Sequence, residues 1–261
     1  MAFIRRYEPS DFEATAHICR ETLASSLLGS EPARRLAPYV WTHQYTHLSP
    51  STCFVLDDGS GSGTGSVVGY CVGTADVDGF VAGYGSYVRE VLEPSGEISR
   101  PGNVTDGEPE PWRVPADKGN GEGGGGKDVP NGTRLAQMAY NPAWLLRAGN
   151  EDLRAAGYGG ATMHVNLLPG WQGRGWGGLL VGRFLEAVKG EMEKKQREVK
   201  KEEGGKEEEE VVDGTRGLWI GVAGENGRVV PFYERLGFRV WDRGEGGIRM
   251  VRDIPLGEQQ Q

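Results

Sequence analysis

The stretch Val165-Asn166-Leu167-Leu168-Pro169-Gly170-Trp171-Gln172-Gly173-Arg174-Gly175-Trp176-Gly177-Gly178-Leu179-Leu180 decides the fold. It reads as a buried strand that runs into a glycine-rich turn, which opens an amphipathic helix. Glycines in such a turn let backbone N–H groups converge without Cβ obstruction, and the helix N-terminus adds the positive end of its dipole. Together they suit an anion, a pyrophosphate in particular. A plain turn needs fewer glycines than the alternating set at 173, 175 and 177.

Two other phosphate motifs come close and fail on context. Gly173, Gly175 and Gly178 match the G-x-G-x-x-G dinucleotide pattern, but the acidic residue wanted about 20 positions later falls within a lysine–glutamate run. Gly121 to Gly126 followed by Lys127 nearly spells a Walker loop. Asp128 stands where a Ser or Thr would hold Mg²⁺, and no strand or helix is expected to flank it.

Working outward, the chain alternates strand and helix. Strands are expected at Phe3–Tyr7, Thr52–Leu56, Val67–Thr74, Ala161–Leu168 and Leu218–Ala223, with a final pair at Phe238–Trp241 and Ile248–Val251. Ser10-Asp11-Phe12-Glu13 has the form of a capping box, and Phe12, Ala16, Cys19 and Leu23 follow at helical spacing. Further helices are expected over Arg34–Leu48, near Val81–Leu92, around Leu135–Tyr140 and Glu151–Ala156, from Gly175 past Val188, and over Arg228–Leu236. The class is α+β with mixed strand pairing.

Composition marks what lies outside this core. The 261 residues are 37% hydrophobic and include 43 glycines, against about 7% glycine in ordinary proteins. The excess is local. Residues 94–132 hold glycine runs, prolines and few large apolar side chains, so they are expected to be a disordered insertion. Residues 191–213 are a charged low-complexity insertion whose first half can extend a helix, and 256–261 a disordered tail. The remaining residues, about 200, suffice for one domain over 1–255. A formal charge of −8 excludes a broad basic nucleic-acid surface. No apolar run approaches a membrane span and no signal peptide is read at the N-terminus. Cys19, Cys53 and Cys71 are odd in number and lack metal spacing, which fits free thiols in a reducing compartment, cytoplasmic or nuclear. His43 and His47 are one helical turn apart, but no third ligand is suggested, so no metal is expected.

Gln172-Gly173-Arg174-Gly175-Trp176-Gly177 resembles the Gln/Arg-x-x-Gly-x-Gly/Ala signature of the GNAT acyl-CoA N-acyltransferases. Asn226-Gly227-Arg228-Val229-Val230-Pro231-Phe232-Tyr233-Glu234-Arg235-Leu236-Gly237-Phe238 resembles that family's second segment, Asn-x-x-Ala-x-x-Phe-Tyr-x-x-x-Gly-Phe, with Val229 at the small position and an unusual Pro231. Met163-His164-Val165-Asn166-Leu167-Leu168-Pro169 is similar to the subgroup that includes the acetyltransferase-like domain of O-GlcNAcase, in which Asp often stands where this chain has Asn166.

The resemblance implies a mixed sheet with helices on both faces, splayed between strands 161–168 and 218–223, with acetyl-CoA in the splay. It implies that Gln172, Gly173, Arg174, Gly175, Trp176 and Gly177 hold the pyrophosphate, that Leu167 and Leu168 pair with the pantetheine, and that Asn226 adds a cofactor contact. Tyr233 matches the family's acid for the leaving thiolate. No base stands out: His164 can serve, Asn166 cannot, and a water relay is equally open. In the family the first two helices line the acceptor site, which makes Tyr39, Trp41, His43 and Tyr45 candidates for acceptor contacts or for core packing. The implied activity is direct acetyl transfer from acetyl-CoA to an amine, a small molecule or a protein lysine or N-terminus, without nucleic acid, membrane or metal. A catalytically silent acyl-CoA-binding or interaction domain is the alternative. Oligomeric state is left open.

Overall fold

The computed structural model describes residues 1–60, 65–102, 109–115, 128–202, 216–244 and 246–256. In chain order the elements are β1 (Phe3–Arg6), α1 (Phe12–Glu21), α2 (Ser25–Leu28), α3 (Glu31–Trp41), α4 (His43–Leu48), β2 (Phe54–Asp57), β3 (Val67–Thr74), α5 (Val77–Tyr87), α6 (Glu93–Ser95), β4 (Arg113–Val114), β5 (Val129–Pro130), α7 (Gly132–Tyr140), α8 (Pro142–Leu146), α9 (Glu151–Ala155), β6 (Ala161–Leu167), α10 (Trp176–Glu202), β7 (Gly217–Val222), α11 (Val230–Arg235), β8 (Arg239–Gly244) and β9 (Gly247–Asp253).

Seven strands form one sheet in the order β1-β2-β3-β6-β7-β9-β8. Neighbours pair antiparallel except β6 and β7, which run parallel. A parallel pair needs a crossover, and α10 supplies it. Leu180, Val181, Phe184, Val188 and Met192 recur at spacings of three and four and bury one stripe of α10 against Met163, Leu218, Ile220 and Met250. The opposite face of the sheet carries Tyr70, Val72, Trp219 and Val251, covered by side chains of α1, α3, α4, α5 and α7. The expected mixed sheet with helices on both faces is therefore present. Among the described residues, no helix is long and apolar enough to cross a membrane.

The sheet parts in the middle. β3 and β6 pair along six positions, from Gly69–Leu167 to Thr74–Thr162. β7 and β9 likewise pair along six. Between β6 and β7 only Ala161–Leu218 and Thr162–Trp219 face each other. From Met163 onward the two strands diverge, so the gap opens at the C-terminal end of β6.

Two local features differ from expectation. The cap at the start of α1 is not Ser10. Asp11 reaches back to the Glu8 N–H at 2.8 Å and also takes both terminal nitrogens of Arg5, at 2.7 and 2.8 Å. The helix expected over Arg34–Leu48 is two helices, because Thr42 leaves helical geometry (φ −134°, ψ −65°) and its hydroxyl meets the buried Tyr70 hydroxyl at 3.1 Å. Within α3, Pro38 has no N–H for the Arg34 carbonyl; Arg20 Nε donates there instead, at 3.3 Å.

The expected insertion at 94–132 lies partly outside the described residues, and its described parts fold onto the domain. Ile98 is buried in the core, its carbonyl accepting from the Tyr140 hydroxyl at 3.1 Å, and β4 pairs with β5. The charged run from 191 begins as a continuation of α10, where Lys195 Nζ meets Asp76 at 3.0 Å. Residues 203–215 and 257–261 lie outside the described residues.

Since Val114 and Val129 are cross-strand partners, a hairpin loop of about four residues can join them. Replacing 116–127 with a short Gly/Ser turn is expected to leave the melting temperature within about 2 °C, because loop length enters closure entropy only logarithmically. A large drop in thermal unfolding of the shortened chain would show that 116–127 supports the core.

Candidate functional site

The glycine loop follows β6 directly. A short turn over Pro169–Trp171 leads to Gln172, and α10 begins at Trp176. Gly173 (φ +72°) and Gly175 (φ +86°) lie in the left-handed region that side chains avoid. A Cβ at either would meet nothing within 4 Å, so these glycines serve the backbone path and leave the space before the loop open. The amides of Gly173, Arg174, Gly175, Trp176 and Gly177 donate to no backbone carbonyl among the described residues; the first helical turn closes only with Gly178 N to Gly175 O at 3.1 Å. Five consecutive donors are therefore without a backbone partner at the positive end of a long helix. Gly177 serves differently: a Cβ there would lie 3.2 Å from Phe232, so it lets α10 and α11 approach.

The loop side chains brace it. Gln172 Nε2 donates to the Leu167 carbonyl at 2.7 Å, tying the loop back to the strand. The Arg174 guanidinium lies 5.5 Å from the centre of the Trp171 ring. Trp176 packs against the core on the α10 side.

The unpaired edge of β6 differs from the expected pairing at Leu167 and Leu168. Leu168 N–H donates to the Val68 carbonyl at 2.9 Å, so that amide is committed to β3. Antiparallel ladders alternate between hydrogen-bonded and non-bonded pairs. Counting back from Leu168–Val68, the backbone groups of Asn166 and His164 turn toward β3, and those of Val165 and Leu167 toward the gap. The groups free to meet a ligand are thus at Val165 and at the Leu167 N–H. Val165 was missed in the sequence because ladder parity depends on the partner strand.

Side chains of β6 divide between the two faces. Met163, Val165 and Leu167 lie on the α10 side. His164 lies on the other, its ring 5.5 Å from that of Tyr45. Burial lowers the His164 pKa to about 4, so the imidazole is neutral at pH 7. Asn166 donates from Nδ2 to the Thr22 hydroxyl at the end of α1.

Tyr233, on α11, sits on the α10 side with Phe232 and Phe238 edge-on at 5.0 and 5.5 Å. Burial raises its pKa, as does the nearby Cys71, so the phenol stays protonated. Tyr233 and His164 therefore occupy opposite faces of the sheet, and only the gap connects them. Asn226 lies in the 3-10 turn Gly224–Val229 between β7 and α11, at the far lip of the gap.

The remaining candidates are core residues. His43 stacks on Phe12 at 3.6 Å and meets Tyr39 edge-on at 5.3 Å, whereas His47 reaches Glu90 at 3.5 Å. The two histidines have different surroundings, and among the described residues no group of three or more His, Cys, Asp or Glu could hold a metal ion. Tyr39 and Tyr45 are buried, and Trp41 packs against the same cluster.

No protein-family model matches the chain, and no curated protein matches it. Solved structures do. SsHAT superposes with a TM-score of 0.64 at 26% identity, covering 97% of this chain and 98% of its own. The chain shares this fold, and its Gln172–Gly177 loop and Asn226–Phe238 segment resemble the signatures of the GNAT superfamily. Two further likenesses are more distant: an acetyltransferase (14% identity, TM-score 0.47, 97% of this chain and 100% of that one) and a GCN5-related N-acetyltransferase from Kribbella flavida (15%, 0.41, 97% of each).

Burial lowers the His43 pKa to about 3, with a smaller push from Arg20. The unfolded histidine titrates near 6.5, so between these values the unfolded chain binds more protons. The stability that neutral His43 contributes is complete above pH 6.5 and is lost progressively as pH falls. His43→Phe keeps the stacking and removes that proton. Its urea midpoint is expected to fall less than the wild type's between pH 6.5 and 4.5; equal falls would assign the acid limb elsewhere.

Proposed function

We propose that this chain is a GNAT-type N-acetyltransferase that moves an acetyl group from acetyl-CoA to an amine within a ternary complex. The observation that carries this reading is the row of five unpaired amides at 173–177 beside the unpaired edge of β6. The amides suit the pyrophosphate of CoA. Backbone groups of Val165 and Leu167 suit the amides of the pantetheine, as an added strand would. The thioester then lies in the gap, between the face of Tyr233 and the face of His164.

A thioester reacts with a neutral amine once the two are held together, so proximity supplies much of the rate. The Leu167 N–H, aimed into the gap, is placed to stabilise the oxyanion of the tetrahedral intermediate. When the C–S bond breaks, Tyr233, which burial keeps protonated, gives its proton to the thiolate. The amine proton goes to neutral His164 or to water. Asn166, occupied with Thr22, takes no part in that transfer. The three cysteines are unpaired thiols, which suits a reducing compartment, cytoplasmic or nuclear.

Calorimetry with acetyl-CoA tests the site. Gly175→Glu puts a carboxylate where the pyrophosphate would sit and strains a left-handed position. Its affinity is expected to fall by about 100-fold or more, near 3 kcal/mol, with the fold retained. Unchanged affinity in a folded variant rules the assignment out.

Tyr233→Phe isolates the acid. The ring keeps its packing, so acetyl-CoA affinity is expected to stay within about twofold while kcat drops by about 100-fold, the lower end for general acid catalysis. A kcat within twofold of wild type means that water protonates the thiolate. Binding without turnover on any amine would identify a silent acyl-CoA-binding domain.

A further inference from the structure

The closed end of the gap is packed with apolar side chains. β6 and β7 run parallel and last pair at Thr162–Trp219, so Met163 and Ile220 are the first residues to face each other across the parting. Both lie on the α10 side and both are buried. Behind Met163 stands Cys71 of β3, its Sγ 3.7 Å from the Met163 Sδ. Methionine ordinarily shifts to suit its neighbours, but here its retreat is blocked. Its partner in the β3 ladder is Gly73, where a Cβ would lie 2.8 Å from the Met163 Cα and 2.8 Å from the Phe184 ring. That glycine lets Phe184 of α10 close down beside Met163, and Phe184 and Cys71 are both fully buried. On the other face Thr162 and Trp219 are buried as well. The apex of the gap is thus filled, and only from His164 outward are the β6 residues half-buried.

We propose that Met163 is the stop that sets the length of the transferred acyl group, so that this chain takes acetyl-CoA in preference to butyryl-CoA. This rests on the acetyltransferase reading above. With the pyrophosphate on the amides at 173–177 and the pantetheine along β6, the cofactor enters from the open end, and its acyl group is the part nearest the apex. An acetyl methyl stays in front of the Met163 side chain. Each further methylene meets a side chain that Cys71 and Phe184 hold in place, and a longer chain enters only by forcing packed atoms apart. The preference is one of exclusion.

Calorimetry on the full chain with CoA, acetyl-CoA, butyryl-CoA and hexanoyl-CoA tests the stop, because binding needs no acceptor. The wild type is expected to bind butyryl-CoA at least about tenfold more weakly than acetyl-CoA, and hexanoyl-CoA more weakly still. Met163→Ala removes the stop and is expected to bring butyryl-CoA within about threefold of acetyl-CoA. Should that chain not fold, Cys71→Ala frees Met163 to swing back and is expected to recover part of the butyryl-CoA binding. Met192→Ala makes the same cut at a buried methionine toward the other end of α10 and is expected to keep the wild-type preference. Equal binding of acetyl-CoA and butyryl-CoA by the wild type overturns the stop and leaves the acetyltransferase reading standing. So does a folded Met163→Ala or Cys71→Ala chain that keeps the wild-type preference. Loss of the preference in Met192→Ala also overturns it, by making the effect a general loosening of the core. Failure of the wild type to bind either CoA or acetyl-CoA overturns the acetyltransferase reading and the stop with it.

Discussion

The parting of β6 from β7 is the constraint on which the rest depends. Each strand is committed along its length to its other neighbour, β6 to β3 and β7 to β9, so the two halves of the sheet meet at only two residue pairs. Sheets do not leave interior edges unpaired without compensation, since exposed backbone donors and acceptors away from water are costly. Here the compensation is shared. Gln172 satisfies the Leu167 carbonyl from below, Asn166 and Thr22 bridge at the side, and the remaining groups face the space a ligand would fill. The helix N-terminus, the turn after β7 and α11 all meet at this gap because the chain must cross it through α10.

The two faces of the gap differ in chemistry. On the α10 side, Gly177 brings α10 against Phe232, and α11 carries Tyr233 into an apolar surround of Phe232 and Phe238. On the other, β6 shows His164 and Asn166 to helices α1 and α4. Burial disfavours the charged form of both titratable groups, the tyrosinate of Tyr233 and the imidazolium of His164. At neutral pH the phenol is therefore protonated and the imidazole neutral.

The sequence revealed what is local and periodic. The glycine loop, the stripe on α10 and the strands Val67–Thr74 and Ala161–Leu167 were readable because each is set by residues within a turn or two of one another. The misread features depend on distant partners. Thr42 breaks a helix because Tyr70, 28 residues on, takes its hydroxyl. Asp11 displaces Ser10 as the cap because Arg5 holds it from β1. The backbone groups free in the gap are those of Val165 and not Leu168, a shift of parity that only the pairing with Val68 decides.

The long low-complexity runs are compatible with this site because of where they join the fold. The run near 116–127 leaves and returns through β4 and β5, a two-stranded ribbon separate from the main sheet. The run near 203–215 connects the end of α10 to the start of β7, at the paired end of β6 and β7, where Ala161 meets Leu218. The glycine loop lies at the other end of β6. An insertion there joins the fold away from the glycine loop, and closure entropy grows only slowly with its length. A run of equal length between Gln172 and Gly178 would move the helix N-terminus away from the unpaired edge of β6 and separate the two surfaces a single cofactor has to span.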